Sequence, residues 1–361
     1  MQKTENGSYL HPEMKILVLR FSAIGDIVLT TPVIRCLKQK LPDVEIHFAT
    51  QLQFAFLLRH NPYIDQVLTW DKGDKSDLDR LIKDLKAGDY DYVIDLHHNL
   101  RTAKIKRALS KVPAFSFDKC NIQKWLLVNF KWDRMPDVHI VDRYMDTLSS
   151  LGVVNDKKGL DYFFDPSKPP TIDWSKWTDS GSSVPVPDNY IAVVIGATHF
   201  TKQLPVNRLI ELCKAAWHRY QKPVLILGGP TDIERGQMLS AGLKSDKVPH
   251  HDTTGLLTFD QSAEAIRQSW LVFSNDTGLM HVAAAFRKPV VSIWGNTTPR
   301  LGMYPYMTPY IVWEHPAGLG CRPCSKIGFK SCPKGHFKCM QDLAFDWEAV
   351  DSLMQKAQPE G

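Results

Sequence analysis

Short runs of consecutive apolar residues alternate along this chain with longer stretches in which apolar residues return every three or four positions. The first run, MKILVLR at 14–20, has the unbroken hydrophobicity of a strand covered on both faces. A helical stretch at 27–40 follows, with Pro32 in its first turns. Runs at 44–49, 65–70 and 91–96 read as further strands, the last two separated by the charged helical stretch 75–86. From 97 to 131 the chain is basic and aromatic, and 137–151 predicts a helix. The stretch 165–188 is dense in Pro, Ser and Gly and lacks periodicity, which predicts a linker. The alternation then restarts, with strands at 190–195 and 223–227 and helices at 205–220, 232–243 and 258–268. Strands alternating with helices predict an α/β chain with two open, mostly parallel sheets, each with helices on both faces. The expected division is a flexible tail 1–13, a domain 14–165, a linker 166–188 and a domain 189–345. A last helix within 346–361 is expected to pack back on the first domain.

The segment 270–295, WLVFSNDTGLMHVAAAFRKPVVSIWG, carries the clearest local signal. Its apolar start reads as a buried strand, Ser274 to Gly278 as a polar turn, 279–286 as a helix of small residues, and 290–294 as a second strand. Such a βαβ unit places a ligand where strand carboxyl ends meet helix amino ends. Asp276 or Thr277 can cap the helix, and Gly278 lets a ligand approach closely. His281 sits one turn further in. The pattern suits a phosphate-bearing ligand.

Composition narrows the class. A chain of 361 residues with 43% hydrophobic and 23% charged residues is long enough for two cores and ordinary for a soluble protein. The formal charge of +5 does not by itself imply nucleic-acid binding. The first thirteen residues are polar, unlike a signal peptide, and no run approaches the ~20 apolar residues of a membrane span. Seven cysteines without a signal peptide argue against a disulfide scaffold and for the cytoplasm.

Several further residues are candidates for chemistry. Gly25-Asp26 lies where the first strand hands over to a helix. A carboxylate there is accounted for by the helix dipole, worth ~0.3–1 kcal/mol, and equally by service as a general base. The loop Thr198-His199-Phe200-Thr201-Lys202 follows the strand at 190–195 and offers hydroxyls and a cation to a diphosphate; the alternative is a solvated loop. Glu234, after the Gly228-Gly229-Pro230 turn, could bind a ribose or pair with Arg235 on a helix surface. His281 fits either a satisfied core position or ligand contact. No GxGxxG or Walker lysine loop is present, which weakens dehydrogenase and NTPase readings.

Taken together, RFSAIGDIVLTTPVI (20–34) and SNDTGLMHVAAA (274–285) resemble the ADP-heptose:lipopolysaccharide heptosyltransferases of glycosyltransferase family 9. The resemblance includes DLHHNLRT (95–102), ATHFTKQLP (197–205), GGPTDIERG (228–236) and the tail CRPCSKIGFKSCPKGHFKCM (321–340). It implies two Rossmann-like domains facing across a cleft, the GT-B glycosyltransferase architecture. The first domain would bind the acceptor and the second the nucleotide sugar. The activity implied is inverting transfer of heptose from ADP-heptose to the lipopolysaccharide inner core, with no catalytic metal. Other nucleotide-sugar donors, or a GT-B-like binder without turnover, are the competing readings. By resemblance Asp26 matches the catalytic base, and Lys202, Glu234, Asp276, Thr277, Gly278 and His281 the donor site; Thr198 joins them as the hydroxyl nearest to Lys202 for a diphosphate. Gly25, His98, Arg101 and Lys104 are the expected acceptor contacts. Gln203-Leu204 departs from the His-Trp pair common after the lysine, which bears on the sugar more than on the reaction class.

The basic residues from Arg101 to Lys131, among them Lys104, Lys119 and Lys124, are interleaved with Trp125, Phe130 and other aromatics. They read either as a solvated face over core aromatics or as a patch for an anionic, lipid-linked saccharide at the inner-membrane surface, at ~1 kcal/mol per basic residue. The expected partners are thus the donor, that acceptor and transient contact with the cytoplasmic face of the inner membrane. Nucleic acid is not expected, and the chain is expected to act as a monomer. Cys321, Cys324, Cys332 and Cys339 are weighed as a structural zinc site. Their spacing departs from the usual paired CxxC, so buried reduced thiols are the favoured reading.

Overall fold

The computed structural model describes residues 14–74, 76–174, 189–315 and 319–357. It separates into two compact units: the described part of Met1–Lys119 with Val141–Lys158, and Cys120–Ile140 with the described part of Gly159–Gly361. Each is built around one parallel sheet.

In the first unit the chain runs through β1 (Lys15–Leu19), α1 (Ile24–Val28), α2 (Thr31–Lys40), β2 (Glu45–Gln51), β3 (Gln66–Trp70), α3 (Asp77–Lys86), β4 (Tyr92–Asp95), α4 (Leu100–Ala108) and β5 (Ala114–Ser116). The five strands lie in the order β3-β2-β1-β4-β5, so β1 is central and its carboxyl end lies at the switch point between the two windings. Leu17 and Leu19 of β1 pack with Leu81, Leu85 and Ile105 of the helices, while Ile16 and Val18 are equally buried on the opposite face. Burial on both faces is why this strand reads as an unbroken apolar run.

The helix expected at 27–40 is two helices. Pro32 is the second residue of α2. It has no N–H to give to Val28 and its ring crowds that carbonyl, so the first helix ends before it. The hydroxyls of Thr30 and Thr31 donate to the carbonyls of Ile27 (2.7 Å) and Val28 (2.8 Å), and the Thr30 N–H also donates to Ile27, so the carbonyls at the break are bonded. The basic stretch after β4 holds α4, whose Asn99 side chain accepts from the N–H of Arg101 (2.9 Å) and Thr102 (3.0 Å) while Thr102 accepts from the Asn99 N–H.

The segment Cys120–Ile140, assigned by pattern to the first domain, packs with the second sheet. It contains α5 (Asn121–Phe130) and ends where α6 (Ile140–Met145) begins. Cys120, Leu127 and Met135 cluster with Leu301, and Arg300 bonds Asp133 (2.6 Å) and the Met135 carbonyl (3.1 Å). The helix expected over 137–151 is α6 followed by a 3-10 turn, Asp146–Leu151. Residues 159–174 also join the second unit: Tyr162 donates to Asp260 (2.5 Å), and Ile172 and Trp174 pack against its core. Most of the expected linker, 175–188, and the expected tail, 1–13, lie outside the described residues.

The second unit continues with β6 (Ile191–Val194), α7 (Val206–Tyr220), β7 (Val224–Leu227), α8 (Ile233–Ser245), β8 (His250–Asp252), α9 (Phe259–Arg267), β9 (Leu271–Asn275), α10 (Gly278–Ala285), β10 (Val290–Trp294), β11 (Tyr310–Glu314), α11 (Lys338–Gln341) and α12 (Trp347–Ala357). Its six parallel strands lie in the order β11-β10-β9-β6-β7-β8. Ile191, Val193, Ile226 and Phe273 face α7, α8 and α12, and Ala192, Val194, Leu225 and Val272 face α9 and α10. Each large side chain so enclosed is worth about 1.5–3 kcal/mol. The last helix was expected on the first domain. Instead Val350, Leu353 and Met354 of α12 complete the second sheet's core, where Trp347 meets Phe273 and Trp313. An amphipathic stripe shows that a helix must be covered, and only tertiary packing says by what.

Candidate active site

In the first unit β1 delivers its carboxyl end to α1, and Asp26 sits in that helix's first turn. One carboxylate oxygen accepts from the Ala23 N–H at 3.1 Å, the other meets the Arg20 guanidinium at 2.7 Å. Arg20 is itself buried and also donates to the carbonyls of Ser22 (2.7 Å) and Leu96 (2.5 Å) and to the Tyr144 hydroxyl (3.0 Å). Burial works against its charge, but Asp26, Tyr144 and Asp95 outweigh that, and its pKa is raised. The Asp26 carboxylate therefore serves the helix start and is held by a fork that is fixed on every side. A carboxylate held at a fixed angle can be aimed at the proton it is to accept.

Of the expected acceptor contacts, Gly25 adjoins Asp26 in α1. His98 turns away: it has a positive φ of 49°, and its Nδ1 lies 3.1 Å from the Phe117 carbonyl. Arg101 lies over the ring of Trp70, 5.5 Å from its centroid, and Lys104 pairs with Asp79. His97, in the same motif, lies within the electrostatic reach of Arg20 and Asp26. Its ring lies 5.4 Å from that of Phe21, and burial, then the charge of Arg20, lowers its pKa to about 4. It is a neutral imidazole at neutral pH. The doubled histidine was visible in the sequence, but only the fold sets His97 against Phe21 and His98 against the Phe117 carbonyl.

In the second unit the candidate residues follow the carboxyl ends of β6, β7 and β9. Asn275, the last residue of β9, donates to the Ile195 carbonyl (2.9 Å) and accepts from the Leu204 N–H (3.2 Å), which ties the loop after β6 to this strand. The tie brings Lys202 to Asp276, with Nζ 2.6 Å from the carboxylate. Thr297, after β10, donates to the same oxygen at 3.0 Å. Thr277 then takes the N-cap position in extended backbone conformation (φ −149°, ψ 172°), and Gly278 opens α10. Its first N–H groups and positive dipole end lie beside a lysine and a threonine, an arrangement that stabilises an anion. His281 is buried one turn into α10. Thr198 is exposed in the loop after β6, and Glu234 is exposed in the first turn of α8, two strands from β9. Asp232, rather than Glu234, is the buried acid there, accepting from the Gly229 N–H at 2.9 Å.

The cysteine-rich tail presents reduced thiols, none of the seven being paired. Cys321 Sγ lies 3.8 Å from His336 Nε2. Burial pushes Cys324 up to about 11 and Cys339 up to about 12, so both stay protonated. Among the described residues no group of three or more His, Cys, Asp or Glu is arranged to hold a metal ion, and no helix is long and apolar enough to cross a membrane.

Two Rossmann-like units, one with a held carboxylate in the helix after its central strand and the other with a lysine and a threonine gathered at a helix start, are the parts of a GT-B glycosyltransferase. Comparison with known proteins agrees. Residues 78–328 match the model of glycosyltransferase family 9 (heptosyltransferase), and the chain belongs to that family. Lipopolysaccharide heptosyltransferase 1 of Pseudomonas aeruginosa is 25% identical over 335 residues, covering 88% of this chain and 87% of its own. The glycosyl transferase family 9 structure from Veillonella parvula superposes with a TM-score of 0.69 at 22% identity, covering 95% and 97% of the two chains. Escherichia coli heptosyltransferase WaaC with ADP gives 0.64 at 19% identity, covering 96% and 100%.

Proposed function

We propose that this glycosyltransferase moves a heptose from ADP-heptose to a sugar of the lipopolysaccharide inner core, with inversion at the anomeric carbon. The observation that carries the reading is the Lys202–Asp276–Thr297 constellation at the start of α10, in a member of the heptosyltransferase family. In this reading Asp26 takes the proton of the acceptor hydroxyl as its oxygen bonds to the anomeric carbon. The bond from that carbon to the diphosphate breaks, and ADP leaves with the electron pair. A single displacement needs a base and no enzyme nucleophile. Lys202 and the N–H groups of α10 stabilise the charge gathering on the diphosphate. Thr198 adds a hydroxyl at the diphosphate, and Glu234 meets the ribose of the donor.

The acceptor is anionic and lipid-linked, and the enzyme works against the cytoplasmic face of the inner membrane. Ile122, Trp125, Phe130 and Trp132 support this reading: all four are more than half exposed along α5 and just beyond it, among Lys119, Lys124 and Lys131. Aromatic rings with flanking cations suit a membrane interface. Vesicles with anionic lipid should retain the enzyme, and neutral ones should not; equal retention would remove this part.

Calorimetry with a panel of nucleotide sugars tests the donor. ADP-heptose should bind most tightly. Tighter binding of a UDP- or GDP-sugar would replace it with another donor on the same scaffold.

A further inference from the structure

At the carboxyl edge of the second sheet, next to Thr297, stands a side chain with no role so far. Asn296 follows β10 and is 2% exposed. Among the described residues neither its amide nitrogen nor its amide oxygen has a hydrogen-bond partner. Its backbone, by contrast, is held from all sides. Its N–H donates to the Thr201 carbonyl (3.3 Å) and its carbonyl accepts from the Cys324 N–H (2.9 Å). Arg322 donates to the carbonyls on either side, Gly295 (2.6 Å) and Thr297 (2.8 Å), and is anchored by Glu314 at 2.5 Å. Gly295 admits no side chain, since a Cβ there would fall 2.6 Å from the Thr201 carbonyl oxygen. A buried amide left open at both ends is costly, and here the chain around it is fixed rather than free to turn it elsewhere.

The strand order says what lies opposite. From β7 through β6 and β9 to β10 the sheet places Glu234, then Thr198 and Lys202, then Asp276 and α10, then Asn296. Three strand spacings span ~14 Å, the reach of a molecule laid out as ribose, diphosphate and sugar. With ribose at β7 and diphosphate at β6 and β9, the position at β10 falls to the transferred sugar. The chemistry agrees. Phosphate oxygens at this pH only accept, and would leave the amide oxygen of Asn296 unsatisfied. A sugar hydroxyl both donates and accepts, and a pair of neighbouring hydroxyls satisfies both ends of an amide.

We infer that Asn296 binds hydroxyls of the transferred sugar and so contributes to choosing the donor, a reading that rests on the nucleotide-sugar site proposed above. The clamp from Arg322 and Cys324 assigns the cysteine-rich tail a part in this: it holds the strand end from which Asn296 reaches the sugar.

Calorimetry on the full chain with ADP and with ADP-heptose tests the inference. Asn296→Ala should weaken ADP-heptose about tenfold and leave ADP within about twofold, as expected when a hydrogen bond to one part of a ligand is lost. Asn296→Leu, close in size but without either polar end and without an added charge, should show the same selective loss with a thermal midpoint no lower than wild type, since it removes the unsatisfied amide. Equal weakening of both ligands would place the residue at the ribose or in a purely structural role and overturn the inference. No change in either would show that an internal water holds the amide, and would overturn it too. If the wild-type protein prefers another nucleotide sugar, the ADP-heptose reading fails alone, and the same contrast between that nucleotide sugar and its free nucleotide decides the role of Asn296. A wild-type protein that binds no nucleotide sugar overturns both.

Discussion

Each unit carries, past the carboxyl end of a strand, a carboxylate paired with a cation, yet the two pairs are built differently. Asp26 meets Arg20, a rigid fork whose other N–H groups are committed to Ser22, Leu96 and Tyr144. Asp276 meets Lys202, a single ammonium on a flexible stem at the end of a short 3-10 turn. A guanidinium held at four points fixes the angle of its partner, whereas an ammonium can turn toward a new anion without disturbing the backbone. The first arrangement suits a base that must be aimed at a hydroxyl. The second suits a site that must accept and later release a diphosphate.

The sharpest way to break this contrast is to neutralise the two acids and cations in turn. Asp26→Asn, nearly isosteric, should cut turnover by about 10²–10⁴-fold, the usual contribution of a positioned base. ADP binding by the same variant should stay within about twofold, as read by calorimetry. An Asp26→Asn enzyme with near-normal turnover would mean that the fork holds the acid for the fold alone.

A smaller effect is expected from the histidine beside that pair. Burial and Arg20 lower the His97 pKa to about 4 from its ordinary 6.5. Between those values the unfolded chain carries a proton that the folded one refuses. Stability therefore falls as pH drops from about 6.5 toward 4, by an order of 2–3 kcal/mol. His97→Gln should flatten that slope, which denaturant melts at pH 7 and pH 4.5 would measure. A slope identical to wild type would assign the acid sensitivity to other groups.

On the donor side, Lys202→Met should weaken ADP about tenfold, the scale of one lost charge-assisted hydrogen bond, and should move the thermal midpoint little. If the variant instead bound ADP normally but melted well below wild type, Lys202 would be a structural partner of Asp276, and the contrast between the two pairs would disappear.

Much of this layout was legible in the residues. The apolar runs marked the strands because both sheets are covered on both faces, as the burial of Ile16 to Leu19 and of Ile191 to Val194 shows. The place of Asp276 and Gly278 between a strand and a helix was legible because a polar turn separates a buried apolar run from a helix of small residues. The edge strands β5, β8 and β11 were not, being short or half-exposed. Arg20 is visible as the polar end of a strand, but nothing local marks it as the partner of Asp26. Asn296 carried no signal at all: an amide after a strand looks like any loop residue until its neighbours are known to close over it.

The sequence by itself determined the local elements, the two windings of strand and helix, and the turns where strands end on acids and glycines. These follow from side-chain periodicity and backbone preference, which act over a few residues. Only the tertiary structure decided that Cys120–Ile140 and α12 belong to the second unit, that His97 packs on Phe21 while His98 meets the Phe117 carbonyl, and that Lys202, Asp276, Thr297 and Asn296 share one edge. Those outcomes depend on which surface finally covers each apolar stripe and on the order in which strands line up. Both are settled by contacts between residues far apart in the chain, and a local pattern does not encode them.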